Sequence, residues 1–379
     1  MAPEATVESL LDQNSYRKLG QVPALDGIRG VAIIAVLLFH GVGHHFPGGW
    51  IGVHVFFVLS GFLITTLLLQ ELQQRGHISL GAFYLRRIVR LAPALFAMII
   101  IFLAYVLLIA HGANRHEQLR SVEVAATYRA NLPGGAVIGA TQDLSFTWTL
   151  ALEEQFYLLW PLLLILAAQR RLSPRRLMTL TAVLAIGLAT WRALLVAKGV
   201  SINHLYFRPD TTADSLLFGC LAGQAYVFQI LPPRKVLRVA APLAGLVMVA
   251  MVLRAPVTAR WAYTLPLPLL TVCTAGAVLA IVEGYATTAQ SLLSVSPLRW
   301  VGRVSYSLYL WNALVDDFLR RDLHARQAIV DSVILLVSFA IAAASYYSIE
   351  RPLIGLRRRL HEEGILRRVL ARGEPEALG

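Results

Sequence analysis

Charge is scarce in this chain. Asp, Glu, Lys and Arg make up only 15% of its 379 residues, while 57% are hydrophobic and the mean hydropathy is +0.62. Soluble domains carry roughly a quarter charged residues, so a set of soluble domains is excluded and the bilayer is the solvent that fits. Cysteine is nearly absent. Cys220 and Cys273 both sit in apolar stretches, which leaves no disulfide framework and no zinc-ligand spacing and makes packing their expected role. The first 24 residues lack the basic segment, apolar core and small-residue cleavage site of a secretory signal, so a cleaved leader is not expected. There is no internal repeat, low-complexity run or appended soluble domain to read.

What the chain has in quantity is apolar sequence in membrane-length segments, each about 20 residues. The expected fold class is an all-α membrane protein of about ten transmembrane helices, placed near residues 23 to 42, 51 to 70, 91 to 110, 147 to 168, 177 to 197, 213 to 231, 239 to 254, 263 to 283, 302 to 319 and 328 to 349. A net charge of +12 invites a nucleic-acid reading, but the distribution of basic residues argues for membrane orientation instead. With the N-terminus inside, 23 of the 34 Lys and Arg fall on cytoplasmic segments and helix ends, the asymmetry expected of a multi-pass protein with both termini cytoplasmic. The expected organisation is a short cytoplasmic segment over 1–22, a membrane domain over 23–350 and a basic cytoplasmic tail over 351–379. The longest non-membrane stretch, 111 to 146, contains Gly134 and Gly135 and lies outside in this topology; covering an acceptor site and being a passive loop are equally open.

Ionisable groups inside hydrocarbon cost about 2.5 to 3.5 kcal/mol each on insertion scales and call for a compensating role. The first segment, ALDGIRGVAIIAVLLFH, holds Asp26, Arg29 and His40. Asp26 and Arg29 are three residues apart, and eleven residues bring His40 back to nearly the face of Arg29. A neutral imidazole there can accept a hydroxyl proton. In FYLRRIVRLAP, Arg86, Arg87 and Arg90 carry planar forks that suit phosphate oxygens, with an ordinary basic membrane boundary as the competing reading. The fourth segment opens WTLALEEQFYLLWP, and its adjacent Glu153 and Glu154 point about 100 degrees apart. One of them is expected inside the bundle, near enough to His40 to orient its imidazole and stabilise its charge. Ser60, in VLSGFLIT, reads mainly as packing and only secondarily as a nucleophile. Asp210 and Asp214, with Ser305, Tyr306, Tyr309 and Asn312, offer groups that bind a sugar-like acceptor or line a channel; helix-packing hydrogen bonds are an equal alternative.

Taken in order, LDGIRGVAIIAVLLFH, GVHVFFVLSGFLIT, RRIVRLAP, WTLALEEQFYLLWP, DTTADSLLFG, VGRVSYSLYLWN and SIERP resemble the acyltransferase-3 family of membrane O-acyltransferases over roughly residues 24 to 354. The resemblance implies transfer of an acyl group, acetyl foremost, from acyl-CoA to a hydroxyl of a glycan, glycolipid or macrolide-like acceptor. It implies no permanently bound cofactor and no nucleic-acid partner. By matched motif, His40 corresponds to the family's catalytic histidine, Arg29 to the arginine of the first motif, Arg87 and Arg90 to an acyl-CoA-associated pair, and Glu153 and Glu154 to an acidic pair. Two positions depart: the second motif often reads GVD where this chain has His54, and the late motif often ends YLWH where this chain has Asn312. The runner-up class is a transporter or flippase of an amphiphilic solute, its pathway lined by the same charges.

Overall fold

The computed structural model describes residues 10, 18–41, 45–109, 113–132, 143–322 and 326–362, and among them there is no strand. In chain order the helices are α1 (Pro23–Gly41), α2 (Gly52–Arg75), α3 (Leu80–Leu108), α4 (Ala113–Ala126), α5 (Trp148–Gln169), α6 (Pro174–Ala197), α7 (Ile202–Phe207), α8 (Pro209–Thr212), α9 (Asp214–Phe228), α10 (Arg234–Arg254), α11 (Pro266–Val282), α12 (Thr287–Leu293), α13 (Ser296–Arg303), α14 (Ser305–Asp322), α15 (Gln327–Ser345) and α16 (Arg351–Glu362).

Local chemistry sets several of these ends. Gly76 adopts φ +74 and its N–H bonds the Leu72 carbonyl, closing α2. Ser79 and Ser173 cap α3 and α6 through bonds from Ala82 N and Arg176 N, and Pro174 follows at the first turn of α6. Between α15 and α16 the chain widens into a π-helical turn over Tyr346–Glu350, a deformation that concentrates at functional sites.

Among the described residues, seven helices are long and apolar enough to cross a membrane. An eighth span arises if α11 and α12, bent by 94°, are taken together. The protein is therefore multi-pass by length and composition. Each of the ten expected segments contains a helix, but three fall short of a span on their own: α9 has 15 residues, α11 has 17, and α14 carries many polar side chains. The third helix also starts at Leu80, about three turns earlier than the sequence suggested, so Arg86, Arg87 and Arg90 lie within it. Gly134, Gly135 and the tail beyond 362 lie outside the described residues.

Leu158, Leu159, Leu162, Leu163 and Leu166 make one exposed apolar face of α5, and Leu180, Val183, Leu184 and Ile186 do the same on α6. In hydrocarbon such faces meet lipid. Close helix approach is concentrated at two seams. Along α2 and α9, a Cβ on Gly61 would lie 2.0 Å from Leu216 O, and one on Gly219 would lie 2.1 Å from Val58 O. Where α1 meets α12 and α13, a Cβ on Gly302 would lie 1.7 Å from Asp26 O, and one on Gly27 would lie 1.8 Å from Leu293 O. Small residues of this kind let backbones touch where no hydrophobic force drives association. The second seam was not read from the sequence, because α12 and α13 are short and polar at their ends.

Gly302→Ala is expected to lower stability by about 1 to 3 kcal/mol through overpacking against backbone. Gly245→Ala, where a Cβ meets nothing within 4 Å, should be neutral or slightly stabilising. Melting midpoints of the two purified variants in one detergent check this pair.

Candidate active site: two cavities joined at Val53 and Tyr309

α1 places its two notable ionisable groups at different depths. Arg29 and His40 are eleven residues apart, about 16 Å along the helix, and each lines its own cavity.

The first cavity, of about 980 Å³ including its mouth, is lined by Arg29 from α1, Ser60 from α2, Arg87 and Arg90 from α3, Glu153 and Tyr157 from α5, and Ser305, Tyr306 and Tyr309 from α14. Three guanidinium groups converge here. The Arg87 guanidinium stacks 4.4 Å from the centroid of the Tyr157 ring. Ser60 Oγ and Tyr157 OH are 2.5 Å apart, and Glu153 shares hydrogen bonds with both. The buried Arg29 Nε finds no acceptor among the described residues, an unsatisfied donor beside the cavity. Tyr306 OH donates to Leu91 O at 2.8 Å and braces α14 against α3. Glu350, on the π-helical turn, accepts from Ser307 Oγ and acts electrostatically on Arg90 and Arg29.

The second cavity, about 1000 Å³ including its mouth, is lined by His40 and Phe39 from α1, the aromatic side chains of Trp50, Phe146, Trp148, Tyr206, Phe207 and Tyr309, Val53, and the polar side chains of Ser145, Asn203 and Thr258. His40 Nδ1 lies 2.9 Å from Val36 O. A carbonyl only accepts, so Nδ1 carries the proton and Nε2 holds the lone pair. Val53 and Tyr309 line both cavities. Tyr309 is fixed there by donating to Phe146 O at 2.8 Å and accepting from Thr149 Oγ1 at 2.9 Å.

Arg29, Arg87, Arg90, Glu153, Ser305, Tyr306 and Tyr309 are thus brought together, and the other expected site residues are not. Asp26 is partly buried beside Arg29, with which it interacts electrostatically. Glu154 is absent from both cavity linings. Arg86 turns to Glu71 at 3.1 Å. Asn312 donates to Ser338 Oγ at 3.1 Å between α14 and α15, outside both linings. Asp210 is held by Trp191 at 3.1 Å, His204 at 3.2 Å and Arg208 at 3.1 Å. Those three hydrogen bonds outweigh the effect of partial burial and keep its carboxyl below the ordinary range. Asp214 is buried and taken up by Arg192, whose Nη1 and Nη2 reach its two oxygens at 2.6 and 2.8 Å. Arg192 also bonds Tyr263 O and Thr211 O. His54 lies close by, its Nδ1 2.9 Å from Ser215 Oγ.

The expected pairing of a fourth-segment carboxylate with His40 is not the arrangement found. Glu153 stands at the depth of Arg29, and the carboxylate within electrostatic reach of His40 is Asp316 on α14. Tyr157, Glu350 and Asp316 were not singled out from sequence as site residues, although Glu350 sits in the SIERP motif.

The acyltransferase domain family, acyltransferase-3, matches residues 22–347. The chain belongs to this family. It is 31% identical over 349 residues to a peptidoglycan O-acetyltransferase, OatA, of Listeria monocytogenes, covering 88% of this chain and 56% of that protein. It is 30% identical over 352 residues to a putative peptidoglycan O-acetyltransferase, YrhL, of Bacillus subtilis, covering 88% and 55%. It is 28% identical over 359 residues to a putative O-acetyltransferase of Staphylococcus aureus, covering 89% and 58%. The chain therefore spans little more than half the length of these relatives. No solved structure matches it.

Asp214→Ala leaves the Arg192 charge buried without its partner, a loss of about 3 to 5 kcal/mol for such pairs. A fall in folded yield and melting midpoint is expected. A rise in acceptor KM at unchanged stability would instead return Asp214 to substrate binding.

Proposed function

We propose that this protein transfers an acyl group, acetyl foremost, from cytoplasmic acyl-CoA to a hydroxyl of a carbohydrate-like or lipid-linked acceptor reached from the other face of the cell membrane. In this reading α9, α11 and α14 complete ten crossings and both termini are cytoplasmic. The observation that carries it is the pair of cavities that share Val53 and Tyr309 in their walls, one lined by three arginines and the other by an imidazole whose Nε2 holds the lone pair. The names of the relatives point to a cell-wall glycan as the leading acceptor.

Arg87 and Arg90 suit the phosphates of CoA, since planar guanidinium forks grip phosphate oxygens in pairs. The pantetheine arm then runs between α1, α2 and α14 towards Tyr309, carrying the thioester to the junction. There the acceptor hydroxyl, bound among the aromatic rings of the second cavity, gives its proton to His40 Nε2 as its oxygen attacks the thioester carbonyl carbon. Collapse of the tetrahedral intermediate breaks the C–S bond. CoA leaves as the thiolate and takes back the proton from the imidazolium, so the base is regenerated.

The protein in lipid, supplied with labelled acetyl-CoA and a glycan acceptor, is expected to yield free CoA and an acylated product. A transporter would yield neither. His40→Gln should bind donor nearly normally and lose at least about a hundredfold in transfer, the low end for a missing general base. Arg87→Ala with Arg90→Ala should instead weaken acyl-CoA binding at largely intact folded yield. Near-normal transfer by His40→Gln at saturating donor would refute the base, and unchanged CoA affinity in the double variant would return the arginines to topology.

A further inference from the structure

His40 closes the last turn of α1, where the unpaired helix carbonyls favour a positive charge. A cluster from two other helices meets it there. Arg320 on α14 donates from Nη2 to the His40 carbonyl at 3.1 Å, from Nε to Asp316 Oδ1 at 2.8 Å, and lies 2.9 Å from Asp331 Oδ1 on α15. Gln327 Nε2 bonds the same Asp331 oxygen at 3.1 Å. Asp316 in turn lies within electrostatic reach of His40.

An Arg320–Asp316 contact four residues apart on one helix is often a solvated pair of small consequence. Two observations set this one apart. Arg320 is also tied to the backbone of the imidazole-bearing residue on a different helix, and its second carboxylate, on a third helix, has a side chain only 7% exposed. Two carboxylates against one guanidinium leave the cluster with a formal charge of −1. Uptake of one proton by His40 neutralises it. Among the described residues, the ring of Phe39 stands edge-on to the imidazole at 5.1 Å, and the phenols of Tyr206 and Tyr309 line the same cavity. Asp317 adjoins Asp316 along α14.

We propose that Asp316 is a positioning residue for His40: with Arg320 and Asp331 it anchors the end of α1 and compensates the imidazolium that forms when His40 takes up the acceptor proton. This role rests on the general-base reading above, yet the charge cluster acts on the imidazole whether or not an acceptor is bound. The Arg29 and Glu153 cavity has no part in it. Glu153 of α5 is then free to serve the donor end.

The test reads His40 directly as well as through transfer. Diethyl pyrocarbonate modifies the neutral imidazole, so the extent of His40 carbethoxylation against pH, followed by peptide mass spectrometry, reports the proton on that residue with no donor or acceptor present. With the negative charge removed in Asp316→Asn, the imidazolium loses support, and the midpoint is expected to move to lower pH by about half to one unit. Arg320→Gln removes the opposing charge and should move it the other way. In transfer assays Asp316→Asn should lower kcat at least tenfold, shift the acid limb of the kcat profile in the same direction as the midpoint, and leave the acyl-CoA KM unchanged. Asp316→Glu should restore most of the rate, and in a His40→Gln background Asp316→Asn should cost nothing further.

A midpoint unmoved in both Asp316→Asn and Arg320→Gln overturns the proposal, even if His40→Gln is inactive and the general-base reading stands. A loss of kcat with an unmoved midpoint also overturns it, leaving Asp316 a merely structural residue. If His40→Gln retains transfer while the midpoints move as expected, the charge coupling holds and it is the general-base reading that fails.

Discussion

Ionisable side chains placed inside an apolar helical bundle must be compensated there, because each costs about 2.5 to 3.5 kcal/mol on insertion scales and water is not at hand. Three clusters of ionisable groups in this chain are arranged in three different ways, with Arg192 and Asp214 fully buried and His40 at an exposed helix end. Arg192 and Asp214 form a fully buried bidentate pair, closed off by backbone carbonyls. Arg29, Arg87 and Arg90 stand among Glu153, Glu350 and Asp26, and their guanidinium groups open onto a cavity. His40 stands against Asp316, Asp331 and Arg320, an excess of negative charge at the other end of the same two helices. The first arrangement is self-sufficient. The second leaves the buried Arg29 Nε without an acceptor among the described residues, and the third carries a formal charge of −1.

α1 and α14 carry both incomplete sites. Arg29 and His40 are eleven residues apart on α1, and Ser305 and Asp316 are eleven apart on α14. Ser305 lines the arginine cavity and Asp316 reaches His40. The two helices therefore run alongside in the same direction, and Tyr309, between Ser305 and Asp316, falls where the cavities touch. Glycines at the α1–α13 seam hold α1 at backbone contact, so the separation of the sites along it is fixed by rigid packing rather than by a loop.

Much of this was legible in the sequence. Helical spacing alone put Asp26, Arg29 and His40 on one face, and the arginine triplet before Pro93 announced an anionic ligand or a membrane boundary. What misled was depth. Glu153 and His40 are both polar groups in apolar helices, and the sequence reading paired them. Counting at about 1.5 Å per residue from the aromatic start of α5 puts Glu153 a turn and a half below Trp148, which lines the His40 cavity, and so nearer the level of Arg29. Asp214 misled for a different reason: its partner, Arg192, lies 22 residues earlier on another helix, and no periodicity links them. The polar, short α12 and α13 carry no membrane signal at all, so the seam they make with α1 was invisible before the fold was known.

The central claim is that donor and acceptor occupy different cavities on opposite halves of the bundle. It is tested most directly by sidedness. In proteoliposomes with the protein in one orientation, acetyl-CoA confined to the face bearing Arg87 and Arg90 and an acceptor confined to the opposite face should give acylated acceptor and free CoA on their respective sides. Product formed only when donor and acceptor share one face would contradict the account.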